Sequence, residues 1–460
     1  MRSGIHPGGH RAWQDARGRD DAGRQIALLI PSEREIRHDL PFSDQSPSRR
    51  EIEQRQLDML NSTLERAFAN SAFYRGHLPK HHLDSLEELQ EFPFMSEQDL
   101  AGSGKSMLAI PAHKVARVVT LATSGTQGSP KRIAFTHDDL DRTVMFFTSG
   151  LQCIARPGET TAVLFPCDTP DGLGDLICRA LENIRAMALP YGTPSRLASA
   201  ARALEKGGAT SIVGSTQETM ALAKWCNVRD RSSAIGQPGR SELPDLGLRR
   251  LGIKRVLLSS DNICCSAVEA IENSWGCEVF EHYGMTEVGY GCAVDCHAHN
   301  GMHIREGNIL VEIVDPETLR PVPDGELGEV VVTTLSNEAM PLIRYRTGDI
   351  SRIIPGTCRC GGTLKRLDRV RGHALSENPW DWKTASELDE RMFRLPGVVD
   401  YRATLLDAKT AKIHVVTLLS LKEESVRVVA EEVLGVAVEI DAEIVDDIES
   451  PLVGKRPRLR

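Results

Sequence analysis

The chain contains 460 residues with a mass of 50.6 kDa, of which 41% are hydrophobic and 26% are charged. This composition is typical of a globular protein, and the length exceeds that of one ordinary hydrophobic core, so two or three domains are expected. A formal net charge of −9 and a pI near 5.9 argue against general binding to nucleic acids or anionic membranes, and no apolar run approaches the roughly 18 residues of a membrane span.

The N-terminal region has few apolar residues. Residues 1–21 are rich in Gly, Arg, His and Asp, and the apolar stretch at residues 26–30 is shorter than the roughly 7–15 residues of a signal-peptide core. Residues 1–45 are therefore predicted to be a poorly ordered extension, and the protein is expected to be cytoplasmic. The chain has 11 cysteines, an odd number, which favours free thiols and a metal site over disulfides.

The hydrophobic pattern predicts alternating helices and strands. Apolar residues recur at spacings of mostly three and four in residues 52–68, which is typical of an amphipathic helix. Short apolar runs predict buried strands at residues 161–165, 211–214, 256–258 and 278–280. Helices are predicted between these strands at residues 175–184 and 267–275, the second with Ser266 and Glu269 as a capping box. This alternation predicts an α/β fold with parallel strands.

A different pattern follows toward the C-terminus. Residues 309–314 and 329–334 predict two strands of antiparallel character joined by a turn. After residue 373 a small α+β unit is predicted, and its first helix has Thr384 and Glu387 as the expected capping pair. The remaining predicted elements of this unit are a strand at residues 413–419, a helix at residues 423–434 and a strand at residues 438–445.

One polar loop is the most informative local feature. Residues 123–131 read Thr-Ser-Gly-Thr-Gln-Gly-Ser-Pro-Lys, between a β-type run at residues 115–121 and a charged stretch that favours a helix. The glycines let successive backbone N–H groups converge and the hydroxyls add further donors, which predicts a phosphate-binding loop. Its spacing differs from that of a Walker P-loop. The alternative is an ordinary polar loop, which the composition of these residues favours when they are considered alone.

Three motifs follow this loop in a defined order. They are Glu-His-Tyr-Gly-Met-Thr-Glu at residues 281–287, Arg-Tyr-Arg-Thr-Gly-Asp at residues 344–349 and Gly-Lys at residues 454–455. With these motifs and the polar loop, the chain resembles the adenylate-forming superfamily of acyl-CoA synthetases, peptide-synthetase adenylation domains and luciferases. Within that superfamily it resembles the phenylacetate–CoA ligase branch most. The resemblance is good over residues 52–373 and weak in the remainder.

The resemblance implies a domain organisation and an activity. A large multi-layer adenylation domain would occupy residues 46–372, and a small mobile C-terminal α+β domain would occupy residues 373–460. The activity would be that of an ATP-dependent carboxylic acid–CoA ligase, which forms an acyl-adenylate and releases pyrophosphate and AMP. The implied cofactors are ATP, magnesium and coenzyme A, and the partner is a small-molecule carboxylic acid rather than a nucleic acid or a membrane. A homodimer is compatible with the resemblance.

The resemblance also assigns residues to roles. Glu287 would bind magnesium, Thr286 would bind phosphate, and Lys455 would stabilise charge at the α-phosphate. Tyr283 would offer an apolar face to adenine, and Asp349 would accept hydrogen bonds from the ribose. The expected nucleotide-binding residues are Thr123, Ser124, Gly125, Thr126, Gly128, Lys131, Tyr283, Gly284, Asp349 and Arg366. The alternatives are a core role for Tyr283, a turn role for Asp349 and a solvated basic tail for Lys455.

Cysteine and histidine residues cluster downstream of the motif at residues 281–287. Zinc prefers four such ligands in a tetrahedral arrangement, and some phenylacetate–CoA ligase relatives have a similar pattern. The preferred ligand set for a structural zinc is Cys296, His303, Cys358 and Cys360. The alternative is a group of reduced cysteines on a polar surface. A catalytic zinc is not expected, because the adenylation step does not require one.

The chain departs from the superfamily at the predicted hinge between the domains. Where the superfamily usually has Gly-Arg-x-Asp-Asp, this chain has Arg-Leu-Asp-Arg-Val-Arg-Gly at residues 366–372, followed by His373. His373 stands at the place of the usual arginine, which Arg366 or Arg371 could replace. The departure leaves two alternatives to the ligase open. One is an enzyme that loads an acyl group on a carrier protein or another acceptor, and the other is a non-catalytic nucleotide-binding relative.

The sequence does not identify the carboxylic acid. In the implied fold, residues 165–174, 214–219 and 259–262 would line its pocket. Three aspartates lie in these segments, Asp168, Asp171 and Asp261. They argue against a long-chain fatty acid, and an aromatic acid is implied by the resemblance alone.

Overall fold

The computed structural model describes residues 47–121, 130–235, 251–260, 262–374 and 380–447. Several predicted features lie outside the described residues, namely the N-terminal extension and the side chains of Thr123, Ser124, Gly125, Thr126, Gly128, Asp261 and Lys455. Within the described ranges, no helix combines the length and the apolar character that crossing a membrane requires.

The secondary structure of the described residues follows the predicted alternation. In chain order, the α-helices are α1 (Arg49–Asn70), α2 (Ala72–His77), α3 (Glu97–Ser103), α4 (His137–Gly150), α5 (Leu173–Ile184), α6 (Leu197–Lys206), α7 (Thr216–Ile235), α8 (Cys265–Trp275), α9 (Trp382–Met392) and α10 (Glu423–Leu434). The strands are β1 (Arg117–Leu121), β2 (Lys131–Phe135), β3 (Thr160–Leu164), β4 (Met187–Pro190), β5 (Ala209–Ser215), β6 (Arg255–Ser259), β7 (Glu278–Tyr283), β8 (Ala293–Val294), β9 (Met302–Ile304), β10 (Ile309–Val314), β11 (Gly328–Thr334), β12 (Tyr345–Ser351), β13 (Ile353–Ile354), β14 (Arg366–Leu367), β15 (Gly372–His373), β16 (Val398–Asp407), β17 (Thr410–Thr417) and β18 (Ala437–Ile444).

Helix α1 confirms the amphipathic helix predicted from its spacing. The helix begins at a capping box, in which the Ser48 hydroxyl accepts from the Glu51 backbone N–H and the Glu51 carboxylate accepts from the Ser48 backbone N–H. Ile52, Leu60 and Leu64 lie on one face of the helix and are almost fully buried. The apolar period therefore determined both the helix and its buried face.

A nine-stranded mixed sheet forms the centre of the large unit. Its strand order is β13-β14-β9-β8-β7-β6-β5-β3-β4. Neighbouring strands from β4 to β7 are parallel, and the pairs from β7 to β13 are antiparallel. The parallel part contains the four predicted buried strands, which confirms the α/β fold. Because the carboxyl ends of parallel strands meet at one edge of a sheet, the residues that follow β3, β5, β6 and β7 meet there.

Two smaller sheets complete the large unit. Strands β10, β11, β12 and β15 form an antiparallel sheet, which confirms the predicted antiparallel pair. Strands β1 and β2 pair antiparallel with Leu121 opposite Lys131, so paired strands flank the polar loop. The prediction of a helix directly after this loop was wrong, because β2 precedes helix α4. Strand β2 forms its backbone hydrogen bonds with β1 across the loop, and the charged residues at the start of β2 do not reveal this pairing.

The C-terminal unit contains a three-stranded sheet and helices α9 and α10. Strand β17 pairs antiparallel with β16 and parallel with β18. The predicted elements are present, and helix α10 has the predicted bounds. The capping pair predicted for α9 was wrong, because the Asp381 side chain is the N-cap and accepts from the backbone N–H of Thr384 at 2.8 Å. Thr384 therefore lies inside the helix.

The C-terminal unit packs on helices α7 and α8 of the large unit. Leu388 and Met392 of α9 share one apolar core with Leu222 of α7 and Ile271 of α8. The Lys224 ammonium of α7 donates to two backbone carbonyls of the C-terminal unit, each at 2.7 Å. Burial lowers the pKa of Lys224 to about 8. The two units thus meet through a continuous apolar contact and a buried amine.

Helix α8 receives its N-terminal cap from the C-terminal unit. The Glu390 carboxylate accepts from the backbone N–H groups of Cys265 and Ser266 at 2.6 and 2.9 Å. A carboxylate at this position also interacts favourably with the helix dipole. The predicted capping box of Ser266 and Glu269 was therefore wrong, because the helix begins at Cys265 and no side chain of its own forms the cap.

Candidate functional site

A buried ion pair joins the strand after the polar loop to the motif at residues 281–287. Lys131 is the first residue of β2, and its Nζ lies 2.6 Å from Glu287 Oε1 and 3.1 Å from Glu97 Oε1. Glu287 lies in the 3-10 turn after β7 and is 6% exposed. Burial opposes the charge of Lys131, but Glu287 and Glu97 outweigh it, so the pKa of Lys131 is raised. The three side chains carry one positive and two negative charges, and this net negative charge favours binding of a cation.

A hydrogen bond connects two predicted nucleotide-binding residues. The Tyr283 hydroxyl at the end of β7 donates to Asp349 Oδ2 on β12 at 2.7 Å. Burial, together with the charge of Asp349, raises the pKa of Tyr283 well above its usual value, so the phenol keeps its proton. Tyr283 is buried and Asp349 is half-buried. The contact holds the ends of two strands from different sheets together.

At two glycines of the predicted motifs, the structure leaves no room for a side chain. A Cβ at Gly284 would collide with the backbone carbonyl of Tyr290. Gly348 has φ +78°, and a Cβ there would collide with the His373 imidazole, which packs on this residue. His373 pairs with Asp349 across strands β15 and β12. The residue at the predicted hinge position therefore lies beside the predicted ribose-binding residue.

The structure places Arg366, a predicted nucleotide-binding residue, in a buried position where it bonds to backbone carbonyls. Its guanidinium is 1% exposed and donates to the backbone carbonyls of Asn300, Pro355 and Gly356. These bonds fasten the loops around β13, β14 and β9. The sequence does not show which backbone carbonyls an arginine will bind in the fold. The position of Arg366 was therefore not predictable from the sequence.

The sequence analysis did not identify Arg369, which contacts the motif at residues 281–287. Arg369 forms an ion pair with Glu281, the first residue of the motif at residues 281–287, with Nε 3.0 Å from Glu281 Oε2. This pairing raises the pKa of Arg369 although burial lowers it. Arg371, the other arginine considered as a hinge substitute, pairs with Asp368 at 3.1 Å. The three arginines within residues 366–371 indicated that an arginine lies near this motif. Only the contacts in the structure show which of them pairs with Glu281.

A small cavity lies at the carboxyl edge of the parallel strands. Its volume is about 20 Å³, and its lining includes Phe146, Phe147, Phe165, Leu173, Ser259 and His282. Phe165, Leu173 and Ser259 come from the segments predicted to line the acid pocket. The other three were missed, because helix α4 and the inward face of β7 reach the cavity only through the tertiary fold.

Of the aspartates predicted near the acid, Asp168 and Asp171 lie among the described residues, and neither lines this cavity. Asp171 instead pairs with Arg179 at 3.1 Å on the half-exposed side of α5, and Asp168 is exposed. The argument from these carboxylates against a fatty acid is therefore not supported. The observation that bears on the carboxylic acid is instead the apolar lining of the cavity.

The four predicted zinc ligands come together in the structure. The Sγ atoms of Cys296, Cys358 and Cys360 and a ring nitrogen of His303 all lie within 4.8 Å of one another. Cys296 Sγ is 3.8 Å from Cys358 Sγ, and Cys360 Sγ is 3.5 Å from His303 Nε2. His303 is fully buried. Two segments that are distant in the chain thus present four soft ligands to one point.

Comparison with known proteins shows which enzymes this chain resembles. A model of the AMP-binding enzyme family matches residues 73–337. A phenylacetate-coenzyme A ligase of Aromatoleum evansii is 30% identical over 348 residues, which are 71% of this chain and 71% of the relative. A phenylacetate-coenzyme A ligase of Pseudomonas putida is 29% identical over 337 residues, which are 70% of this chain and 71% of the relative.

A solved structure has the same fold over most of the chain. The 2-hydroxyisobutyryl-CoA ligase in its postadenylation state, in complex with 2-HIB-AMP, aligns with a TM-score of 0.70 and covers 92% of each chain. The identity is 19%, so this similarity concerns the fold. It confirms the predicted arrangement of a large α/β domain and a smaller C-terminal domain.

Proposed function

The chain belongs to the AMP-binding enzyme family, and from this premise we propose that it is an ATP-dependent carboxylic acid–CoA ligase that works through an acyl-adenylate. The observation that carries this proposal is the contact of Lys131 with Glu287. It joins the strand after the predicted phosphate-binding loop to the motif at residues 281–287. Similarity to phenylacetate-coenzyme A ligases over about 70% of the chain supports it further.

In the proposed adenylation step, a carboxylate oxygen of the acid attacks the α-phosphorus of ATP. The bond from this phosphorus to the bridging oxygen breaks, and pyrophosphate leaves. The Glu287 carboxylate would hold a magnesium ion, which supplies positive charge at the phosphates. The two carboxylates around Lys131 fit this role, because they leave a net negative charge at the site. Lys131 would then exchange its contact with Glu287 for the phosphates.

The remaining roles in this step follow the motif positions. We assign Asp349 to the ribose hydroxyls, with Tyr283 fixing one of its oxygens. Thr286, half-buried beside Glu287, is assigned to a phosphate oxygen. Thr123, Ser124, Gly125, Thr126 and Gly128 of the loop, and Lys455, are assigned to the phosphates on the basis of the sequence resemblance. In the second step, the thiol of coenzyme A attacks the acyl carbon and AMP leaves.

Carboxylate-dependent exchange between ATP and labelled pyrophosphate tests the proposed function. We expect exchange with at least one acid from a panel of aryl and short acyl acids, and thioester formation when coenzyme A is added. Exchange without thioester would favour an enzyme that loads another acceptor. No exchange with any acid would contradict the proposed adenylation.

We also propose that Cys296, His303, Cys358 and Cys360 hold a structural zinc. Three thiol groups and one imidazole are a common donor set for a closed tetrahedral zinc site, and their spread of less than 4.8 Å fits one ion. Such an ion would join the segment after β8 to the loop between β13 and β14. This role is separate from adenylation, since the proposed adenylation step uses none of the four side chains.

Metal analysis of the purified protein tests the zinc site. We expect one zinc per chain, and Cys358→Ala to lower the zinc content by more than about tenfold and to lower the thermal midpoint, because metal binding is coupled to folding. Cys292→Ala is the matched control, since Cys292 is also buried but lies outside the cluster. Unchanged zinc in Cys358→Ala, or none in the parent protein, would contradict this assignment.

A further inference from the structure

The last described residues of the chain attach the C-terminal unit to helix α6 of the large unit. Asp447 Oδ1 accepts from the backbone N–H groups of Leu197 and Ala198, the first two residues of α6, at 2.7 and 3.4 Å. Arg196, which precedes the helix, does not cap it with its own side chain. The Asp447 carboxylate is therefore the N-terminal cap of α6, and its charge interacts favourably with the helix dipole.

A second contact fixes the residue before Asp447. The backbone carbonyl of Asp446 accepts from Trp225 Nε1 at 2.9 Å and from Arg229 Nη2 at 3.0 Å, both on α7. Trp225 is 2% exposed. A buried donor that loses its acceptor is costly, so this bond also favours one position of the chain. Asp446 and Asp447 together form an anchor on α6 and α7.

The anchor lies at the carboxyl edge of the parallel strands. Tyr191 directly follows β4, and its backbone N–H donates to the carbonyl of Val163 in β3 at 3.2 Å. Burial and the charge of Asp447 raise the pKa of Tyr191, which places the Asp447 carboxylate near the end of β4. Glu287 follows β7, which ends at the same edge of the sheet. The anchor and the candidate site therefore share one edge of the sheet.

The chain beyond the anchor is long enough to reach the candidate site. Lys455, which lies outside the described residues, follows Asp447 by eight residues, and eight extended residues span at most about 27 Å. Four strand spacings separate β4 from β7 in the sheet order, which amounts to about 19 Å. The reach of the chain exceeds this distance along the edge. A tether that starts at Asp447 thus lets Lys455 reach phosphates bound beside Glu287.

We propose that Asp447 is a positioning residue for Lys455, because its cap on α6 fixes the start of the segment that carries this lysine at the edge where ATP is proposed to bind. The inference rests on the proposed function, since it takes Lys455 as the residue that stabilises charge at the α-phosphate. Fixing one end of a short tether raises the effective concentration of the group at its other end. Asp447 acts through Lys455 and is not itself a catalytic residue.

The experiment measures kcat for ATP–pyrophosphate exchange with an acid that the parent protein uses. We expect Asp447→Ala to lower kcat about fivefold with the KM for ATP unchanged, because loss of the cap frees the start of the tether. Asp447→Asn is expected to keep at least about half of the parent kcat, since an amide oxygen caps a helix about as well as a carboxylate does. In a Lys455→Ala background, Asp447→Ala should change kcat by less than about twofold, because the group that it positions is then absent.

Glu390→Ala is the matched control for Asp447→Ala. Glu390 is also a carboxylate of the C-terminal unit that caps a helix of the large unit, through the backbone N–H groups of Cys265 and Ser266. It lies on α9, whereas the tether to Lys455 starts after β18. We expect its kcat to stay within about twofold of the parent value, since the anchor is left intact.

The outcomes separate the inference from the proposed function. An equal loss from Asp447→Ala in the parent and Lys455→Ala backgrounds would overturn the inference, because Asp447 would then act independently of the lysine. An equal loss in Glu390→Ala would contradict it too, since docking of the C-terminal unit would be the cause. Unchanged exchange in Lys455→Ala would remove the role of this lysine and the inference with it, while the proposed function would stand. Absence of exchange with every acid would overturn the proposed function and the inference that rests on it.

Discussion

Glu287→Gln is expected to lower carboxylate-dependent ATP–pyrophosphate exchange by about 10³-fold, since a magnesium ligand supplies several kcal/mol of transition-state stabilisation. The amide keeps the shape of the side chain but removes the negative charge that binds a divalent cation. The measurement is the rate of exchange as a function of magnesium concentration at saturating ATP. We expect the variant to require more magnesium, and its maximal rate to stay low.

Glu97→Gln separates this effect from loss of the ion pair. Both carboxylates contact Lys131 Nζ, Glu287 at 2.6 Å and Glu97 at 3.1 Å. If the loss came from freeing Lys131, the two variants would be similarly impaired. We expect Glu97→Gln to lose at most about tenfold, because each variant leaves Lys131 one carboxylate partner but only Glu97→Gln keeps Glu287, the proposed magnesium ligand. Full exchange in Glu287→Gln would show that the assignment of the magnesium ligand is wrong.

Arg344→Met is expected to lower the free energy of unfolding by about 3–5 kcal/mol, because it leaves a buried carboxylate without its partner. Arg344 is 2% exposed, and its Nε and Nη2 donate to Glu312 at 3.1 and 2.9 Å. Its Nη1 donates to the backbone carbonyls of Gln90 and Phe92. The measurement is denaturant unfolding followed by tryptophan fluorescence.

The pH dependence of this variant has a defined sign. Burial raises the pKa of Glu312 in the folded protein, although Arg344 lowers it. Removing Arg344 leaves only the raising effect, so folded Glu312 binds its proton more tightly than the unfolded chain does. The stability contributed by that proton is present at low pH and is lost as pH rises through the raised pKa. The loss in Arg344→Met should therefore be smaller at pH 5 than at pH 7.

Arg391→Met provides the exposed counterpart of this substitution. Arg391 pairs with Glu387 and Glu432 at 2.6 and 2.7 Å, but its side chain is 40% exposed. Exposed pairs contribute little, and we expect a change below about 1 kcal/mol. An equal loss in both arginine variants, or a loss in Arg344→Met that grows toward acid pH, would contradict the argument from burial.

The helices and strands were largely predictable because their signals are local. The apolar period of α1 and the apolar runs of β3, β5, β6 and β7 depend on residues a few positions apart, and all were confirmed. The errors lie where another segment of the chain supplies the hydrogen bonds. Strand β2 depends on β1, and the cap of α8 comes from Glu390, more than a hundred residues away in the chain.

The candidate site was predictable as a set of residue types, and less so as a set of contacts. The four side chains of the Cys/His cluster were predicted together and lie together. Glu97, His282 and Arg369 were missed, because each matters only through a partner that another segment provides. Arg366 was assigned to the nucleotide from the sequence alone. The backbone carbonyls that it binds in the fold cannot be read from the order of residues in the chain.

The sequence by itself determined the α/β fold, the order of the motifs and the family, because these depend on local periodicity and on residue identity at fixed spacings. Only the tertiary structure decided which charges neutralise one another and which polar atoms stay unpaired. Lys131 faces two carboxylates, whereas His282 Nε2 has no hydrogen-bond partner among the described residues, and the sequence shows neither fact. The energy of a charge or a donor depends on its burial and its nearest partners, and folding brings those partners from distant parts of the chain.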